Sequence, residues 1–137
     1  MLLATWRAVA ETLAGAGTLV IGGKSMGGRI ASMVADECGV DGLVCMGYPF
    51  HPPRAPEKLR TAHLQDLRTP TLILQGIRDP FGTPDEVAGY GLAGTIRIHW
   101  LEDGDHSFKP RVKSGRTLAQ NMAEAANEIS RFAEALE

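Results

Sequence analysis

The amino-acid sequence predicts an α/β fold in three layers, in which a parallel sheet of about four strands is covered by helices on both faces. Helix-like and strand-like segments alternate along the chain, as they do in parallel sheets with crossover helices. The first three strand-like runs are continuously apolar, which is typical of strands buried on both faces. A length of 137 residues favours one domain over residues 1–137.

The elements of the first half follow one another in a regular order. Apolar residues at helical spacing predict a helix over residues 2–13, and the short β-rich run "TLVIG" predicts a strand over 18–22. A second helix is predicted over 26–36, and "GLVCMG" predicts a second strand over 42–47. A proline-rich segment comes next, with a short helix expected around 57–67.

The second half continues with two strands and a long helix. "TPTLILQG" predicts the third strand over 69–76, and "GTIRIHWL" predicts the fourth over 94–101. The fourth run alternates apolar and polar residues more than the others do, which suits a strand nearer the sheet edge. An apolar stripe at helical spacing predicts a last helix over roughly 116–136.

Composition bears on partners and on location. The net charge is −2 and the basic residues are dispersed, so neither nucleic acid nor a membrane surface is expected as a partner. No apolar run approaches the ~20 residues that span a bilayer, and Arg7 and Glu11 interrupt the apolar N-terminus where a signal peptide would be continuous. Cys38 and Cys45 are expected to be reduced, with a disulfide between them as the alternative, and a cytoplasmic location is expected.

The segment "LVIGGKSMGG" at residues 19–28 carries two competing patterns. Its Gly-Lys-Ser is how a phosphate-binding loop ends, but the first glycine of that loop would fall at Thr18, inside the predicted strand. The same residues match G-x-S-x-G, which exposes a serine, here Ser25, on a sharp turn between a strand and a helix. The sequence therefore favours a nucleophile over a phosphate site.

The residues around Ser25 fit such a turn. Gly23 and Gly27 are expected because a side chain at either position would collide across the turn, and Gly28 would let the helix approach the strand. The backbone N–H of Met26 would point at a developing oxyanion. The alternative is that glycine and serine simply begin a helix after a strand.

A nucleophilic serine needs a base, and the base needs an orienting acid. Asp79 follows the third predicted strand in "LILQGIRDPFG", and His106 follows the fourth in "HWLEDGDHSF". Both would lie with Ser25 at the carboxyl edge of a parallel sheet, where ligands of such folds bind. Taken singly, Asp79 before a proline could only start a turn, and His106 could be a solvated loop residue. We expect Asp79, rather than Asp103 or Asp105, to be the acid.

The remaining polar residues are weaker candidates. His51 and His63 lie in the proline-rich segment, and His99 lies within the last strand. No spacing of histidine, cysteine or acidic residues matches a metal site, so neither a metal nor a cofactor is expected. Lys24 and Arg29 are interpreted as surface charges near the turn, although Lys24 could face an anionic substrate.

The chain resembles the small, dienelactone-hydrolase-like branch of the α/β-hydrolase superfamily. The resemblance covers nearly the whole chain and rests on "GGKSMGGR", "QGIRDPFG", "DGDHSF" and "YPFHPP". It implies Ser25 as nucleophile, Asp79 as acid and His106 as base. The superfamily hydrolyses several kinds of bond, and we expect a serine hydrolase acting on an ester-, thioester- or lactone-type carbonyl. The partner would be a small acyl substrate, with Pro49, Phe50, Phe81 and Met26 as candidates to line an apolar pocket.

The resemblance also implies strands and an oxyanion loop upstream of the serine turn, where this sequence has one predicted helix. The chain is therefore interpreted as the C-terminal part of such a hydrolase, a partial domain. The alternatives to an enzyme are a noncatalytic binding module and an inactive fragment. Strand 18–22 would be an apolar sheet edge, so a homodimer or another chain is expected to cover it.

Overall fold

Four parallel strands form one sheet, and their order in space is their order along the chain. The structure, a computed structural model, describes residues 2–13, 15 and 17–137. The strands are β1 (Val20–Lys24), β2 (Gly42–Met46), β3 (Thr71–Gly76) and β4 (Ile96–Leu101). Their pairings are all parallel, so the carboxyl ends of the strands meet at one edge of the sheet. The predicted fold class is confirmed.

Helices accompany these strands, and the local sequence provides caps at some of their ends. They are α1 (Leu2–Leu13), α2 (Met26–Cys38), α3 (Pro84–Ala88) and α4 (Leu118–Ala135). Gly39 ends α2 in the left-handed conformation at φ 62°, which glycine adopts without steric cost. Helix α4 begins at Leu118 because the Thr117 hydroxyl accepts the Gln120 N–H at 3.1 Å, while the Gln120 side chain accepts the Thr117 N–H at 2.9 Å.

The two faces of the sheet are covered by different helices, which makes the three layers. On one face, Ala31 and Val34 of α2 pack with Leu43, Ile73 and neighbouring apolar residues, and α1 lies against α2. On the other face, Leu72, Leu74 and Leu101 pack under α4, and all three are fully buried. Each such side chain contributes about 1.5–3 kcal/mol of hydrophobic stabilisation.

The short helix expected around 57–67 is largely absent. Only residues Ala62–Leu64 form a turn of 3-10 helix. Hydrogen bonds to the loop after β2 hold this segment instead. The Arg60 N–H donates to the Phe50 carbonyl at 2.9 Å, and the Tyr48 hydroxyl donates to the Arg60 carbonyl at 2.9 Å. Leu64 is fully buried. Long-range bonds to the backbone replace the intrahelical bonds that the local pattern suggested.

Strand β1 is an edge of the sheet, as predicted, and among the described residues it pairs only with β2. That a second copy or another chain covers it stays a prediction, which light scattering at micromolar concentration tests. Cys38 and Cys45 are both free thiols. Within the described part of the chain, none of the helices has the length and apolarity needed to cross a membrane.

Candidate active site

Ser25 lies between β1 and α2 in a strained backbone conformation, with φ 52° and ψ −121°. Positive φ costs a non-glycine residue on the order of 1–3 kcal/mol, and it persists only where the surroundings enforce it. Here the Ser25 N–H donates to the Met46 carbonyl at the end of β2 at 2.8 Å, and the Ser25 carbonyl accepts the Arg29 N–H at 3.1 Å. The serine is therefore held at the carboxyl edge of the sheet.

Two of the three glycines around Ser25 are required by close approach. A Cβ on Gly23 would lie 2.6 Å from the Gly27 carbonyl carbon, and one on Gly28 would lie 2.6 Å from the Gly23 carbonyl oxygen and 3.2 Å from the Cys45 Cβ. The expectation for Gly27 is wrong, because a Cβ there would meet no described atom within 4 Å. The tight contact runs between Gly23 and Gly28, where α2 crosses β1.

A chain of hydrogen bonds links Ser25, His106 and Asp79. Ser25 Oγ lies 2.9 Å from His106 Nε2, and His106 Nδ1 lies 2.8 Å from Asp79 Oδ2. Asp79 is fully buried, and its Oδ1 accepts the Phe81 N–H at 2.8 Å. Because a carboxylate only accepts, Nδ1 carries the proton and Nε2 is left to accept the serine hydroxyl. This is the juxtaposition that the order of the motifs predicted.

Neighbouring residues hold the His106 ring in place. The Phe81 ring lies against it, with ring centroids 4.3 Å apart. Gly47, after β2, is also close to this residue: it has φ 68°, and a Cβ there would lie 2.9 Å from the His106 carbonyl oxygen and 3.3 Å from the ring. At the end of β3, a Cβ on Gly76 would overlap the backbone of Gly104 and Asp105, just before His106 in the chain. The loops after β2, β3 and β4 therefore pack closely around this imidazole.

The other two acidic residues near His106 are engaged elsewhere. Asp105 Oδ1 accepts the backbone N–H groups of Ser107 at 2.8 Å and Lys109 at 3.0 Å, which shapes the loop itself. Asp103 is bound by Arg111, whose nearest contact is 2.6 Å. Hydrogen bonds from Arg111 hold the pKa of Asp103 well below its usual range. Of the three aspartates, Asp79 is the one that contacts the imidazole.

Gln75 is a functional neighbour that the sequence reasoning missed. It is fully buried in β3; its Oε1 accepts the Tyr48 N–H at 2.8 Å, and its Nε2 donates to the carbonyls of Tyr48 at 3.2 Å and Gly82 at 3.3 Å. These bonds tie the loop after β2 to the loop that carries Asp79. A polar side chain inside an otherwise apolar strand was the available signal, because a buried amide must find partners.

The expected pocket residues do not form one wall. Phe50 is fully buried in the core, 4.8 Å from the Tyr48 ring and 5.6 Å from the Tyr90 ring between centroids, so it offers no surface to a substrate. Pro49 is buried beside it, and Phe81 is half-buried. Met26 has an exposed side chain, and its N–H lies in the first turn of α2, where amides lack intrahelical acceptors.

The remaining candidates are not members of this hydrogen-bonded chain. His63 Nε2 lies 2.8 Å from Ser32 Oγ; burial, with a contribution from Arg29, lowers the pKa of His63. His99 contacts Glu124 on the α4 side. Lys24 is exposed, and its Nζ donates to the hydroxyl of Ser107 at 3.2 Å. Because Lys24 adjoins Ser25 and Ser107 adjoins His106 in the chain, this contact places a cation close to Ser25 and His106.

Comparison with known proteins gives the same fold. The profile of a family described as an alpha/beta hydrolase domain matches residues 1–134. Among solved structures, the esterase domain of a Rhodothermus marinus protein shares 17% identity at a TM-score of 0.58, over 76% of this chain and 58% of that one. An α/β serine hydrolase homologue from Coxiella burnetii shares 18% identity at a TM-score of 0.64, over 91% and 57%.

A third solved structure has no lid. It is an α/β serine hydrolase from Xanthomonas campestris, with 21% identity and a TM-score of 0.66, over 92% of this chain and 54% of that one. The chain thus spans a little more than half the length of these three proteins. At identities between 17% and 21%, this similarity is evidence for the fold alone.

Proposed function

Because this chain belongs to the family of alpha/beta-hydrolase domains, we propose that it is a serine hydrolase that cleaves an ester-, thioester- or lactone-type carbonyl through an acyl-enzyme. The observation that carries the proposal is the continuous contact from Ser25 Oγ through His106 to the buried carboxylate of Asp79, at 2.9 and 2.8 Å. The strained turn at Ser25 supports it, since such strain is typical of a nucleophile elbow.

In the first half-reaction, Ser25 Oγ attacks the carbonyl carbon while His106 Nε2 takes the hydroxyl proton. Asp79 holds the ring so that Nε2 faces the serine, and it stabilises the imidazolium that forms. The imidazolium then gives its proton to the departing alcohol, thiol or ring oxygen, and the acyl group remains on Ser25. Water, activated by His106, releases the acid in the second half-reaction.

The negative charge on the carbonyl oxygen needs hydrogen-bond donors. The Met26 N–H adjoins Ser25 at the start of α2, where the helix dipole also favours negative charge. Removing one such donor from a hydrolase lowers kcat by about 100- to 1000-fold. The magnitude of kcat therefore indicates whether the Met26 N–H is the single donor to the oxyanion or one of two.

On the substrate side, Phe81 lies against the His106 ring and is half-buried, so it is the apolar side chain that we place next to the acyl or leaving group. Pro49 remains a candidate behind it. Phe50 supports this wall from within the core rather than touching substrate.

The alternative is a noncatalytic binding module built on the same fold. The observation that favours it is that the chain spans between 51% and 58% of the length of three solved structures that it matches, so the activity of a whole hydrolase is not carried over to it. In that case any ester hydrolysis would be weak and independent of the serine.

Hydrolysis of p-nitrophenyl acyl esters separates the two. We expect saturable turnover that falls at least about 1000-fold in Ser25→Ala, because removing the nucleophile leaves only the binding and oxyanion terms. A rate that is the same in Ser25→Ala and in the original protein would overturn the proposal and leave the binding module.

A further inference from the structure

His51 is a buried histidine that these catalytic steps do not use. Its side chain is 2% exposed. Its backbone N–H donates to the Phe81 carbonyl at 3.2 Å, and the Phe81 N–H donates to Asp79 Oδ1 at 2.8 Å. The Phe81 ring lies against His106. Two hydrogen bonds therefore separate the backbone of His51 from the carboxylate proposed as the catalytic acid.

Both nitrogens of the His51 ring face groups that only accept. Nδ1 lies 2.8 Å from the Pro52 carbonyl oxygen, and Nε2 lies 3.0 Å from Glu86 Oε2. Nε2 is buried and its N–H is not aligned for a good hydrogen bond, so its favourable interaction with Glu86 is the attraction between opposite charges. An imidazolium satisfies both contacts, whereas a neutral ring would turn a lone pair toward the carbonyl or the carboxylate.

The other oxygen of Glu86 continues the connection. Glu86 Oε1 accepts the Thr83 N–H and the Thr83 hydroxyl, each at 3.1 Å, at the start of α3. The His51–Glu86 pair therefore joins the loop after β2 to the segment of residues 79–86, which begins with Asp79 and ends in α3.

The titratable groups that face His51 are Glu86, from α3, and Asp79, from the loop after β3. Burial alone would lower the pKa of His51, but the Pro52 carbonyl and the Glu86 carboxylate outweigh it and raise that pKa. Burial would raise the pKa of Glu86, but the hydrogen bonds from Thr83 and the close contact with His51 outweigh it and lower that pKa. Burial, with a contribution from the Glu86 charge, raises the pKa of Tyr90.

We infer that His51 is a positioning residue: as an imidazolium paired with Glu86, it holds the segment of Asp79 and Phe81 against His106. The inference rests on the proposed hydrolase function. The contribution of the pair is complete below the ordinary histidine pKa, about 6.5, and is lost as pH rises through the raised pKa of His51. The lowered pKa of Glu86 means that the contribution also disappears in strong acid.

Glu86→Gln inverts the proton requirement without changing the shape of the side chain. The glutamine oxygen keeps the bond from the Thr83 N–H, and its amide N–H donates to an unprotonated Nε2 of His51, while Nδ1–H still donates to the Pro52 carbonyl. Against a protonated ring the same amide would place two donors face to face. A merely structural contact would not change sign with pH in this way.

The test measures kcat and KM for an acyl ester between pH 5 and 9 in the original protein, Glu86→Gln and His51→Gln. His99→Gln and Glu124→Gln serve as matched controls, since that pair is also a histidine and a carboxylate, 2.7 Å apart, on the α4 side. We expect His51→Gln to lose about 10-fold or more in kcat at pH 6 with little change in KM, as misplaced catalytic groups do. The ratio of kcat in Glu86→Gln to that in the original protein should rise with pH by about 10-fold.

A ratio that stays flat with pH, or the same loss in His51→Gln and His99→Gln, would overturn the inference. If His51→Gln does not fold, the Glu86→Gln ratio of kcat decides alone.

The low-field NMR proton of the His106–Asp79 hydrogen bond gives a readout that needs no substrate. It should persist in the original protein and both controls and be lost in His51→Gln; its persistence there would also overturn the inference. Absence of turnover in the original protein counts against the proposed hydrolase function instead, and the NMR signal still decides the role of His51.

Discussion

The Asp79–His106 pair, at the carboxyl edge of the sheet, and the Glu124–His99 pair, between β4 and α4, are joined at 2.8 and 2.7 Å. Their surroundings differ. Asp79 is fully buried and its second oxygen accepts a backbone N–H. Glu124 has a side chain that is 36% exposed, and Arg116 binds its second oxygen at 2.6 Å.

The second nitrogen of each imidazole shows what the pair can do. His106 Nε2 faces the hydroxyl of Ser25 at 2.9 Å, so the ring can accept a proton from a nucleophile. His99 Nδ1 lies 3.8 Å from Glu128, another carboxylate, so that ring links two acids on a helix surface. A histidine and a carboxylate at nearly the same distance therefore form part of a proposed catalytic chain in one place and part of an ionic network in the other.

The largest expected effect is the difference in kcat/KM between variants of the two histidines. His106→Gln removes the base and should lower kcat/KM for an acyl ester by about 1000-fold or more, because the nucleophile and its base act as a unit. His99→Gln should leave kcat/KM within about two-fold, as expected for a surface pair outside the site. Steady-state kinetics on the two purified variants checks this. Equal losses in both would show that the contrast between the pairs is false.

The acids should follow the same ranking, with a large loss for Asp79 and a small one for Asp105. Asp79→Asn presents an amide to His106 Nδ1 and favours the wrong tautomer, and a change of this kind lowered kcat by about 10⁴ in a serine protease. Asp105→Asn should cost far less, since an amide oxygen can still accept the N–H groups of Ser107 and Lys109. Their kcat values, measured side by side, check the ranking. A greater loss in Asp105→Asn would reassign the acid.

The smallest effect concerns stability. The hydrogen bond from His99, with help from Arg116, outweighs burial and lowers the pKa of Glu124. The pair therefore stabilises the fold above the ordinary glutamate pKa, and this is lost as pH falls through the lowered one. Since the pair is partly exposed, Glu124→Gln should cost at most about 1 kcal/mol at pH 7. Urea unfolding at pH 7 and pH 3 checks this, and a cost that is undiminished at pH 3 would contradict it.

Residue type and chain order were enough to predict the sheet and the meeting of Ser25, Asp79 and His106. Parallel strands bring their carboxyl ends to one edge, so residues that follow successive strands become neighbours. The pattern "LILQG" likewise predicted β3, but its glutamine was passed over. Its partners are backbone groups of Tyr48, 27 residues away, and of Gly82, in the following loop, and backbone groups have no signature in the sequence.

The expectations that were wrong or incomplete depend on packing. Phe50 follows a strand as a pocket residue would, yet the Tyr48 and Tyr90 rings enclose it in the core. Gly27 belongs to the motif, yet the close approach involves Gly28. His51 looked like a loop residue because its partner, Glu86, lies in another element. Burial and long-range pairing of single side chains are set by the assembled fold, which local periodicity does not describe.

The central claim, that Ser25 is a nucleophile activated by His106, is tested most directly by covalent labelling. Intact-mass spectrometry after reaction with a fluorophosphonate should show one adduct on the folded protein, and peptide mapping should place it on Ser25. The adduct should be absent from Ser25→Ala and form much more slowly in His106→Gln, while His99→Gln reacts at the rate of the original protein. Well-folded protein that gains no adduct, or an adduct that persists in Ser25→Ala, would contradict the claim.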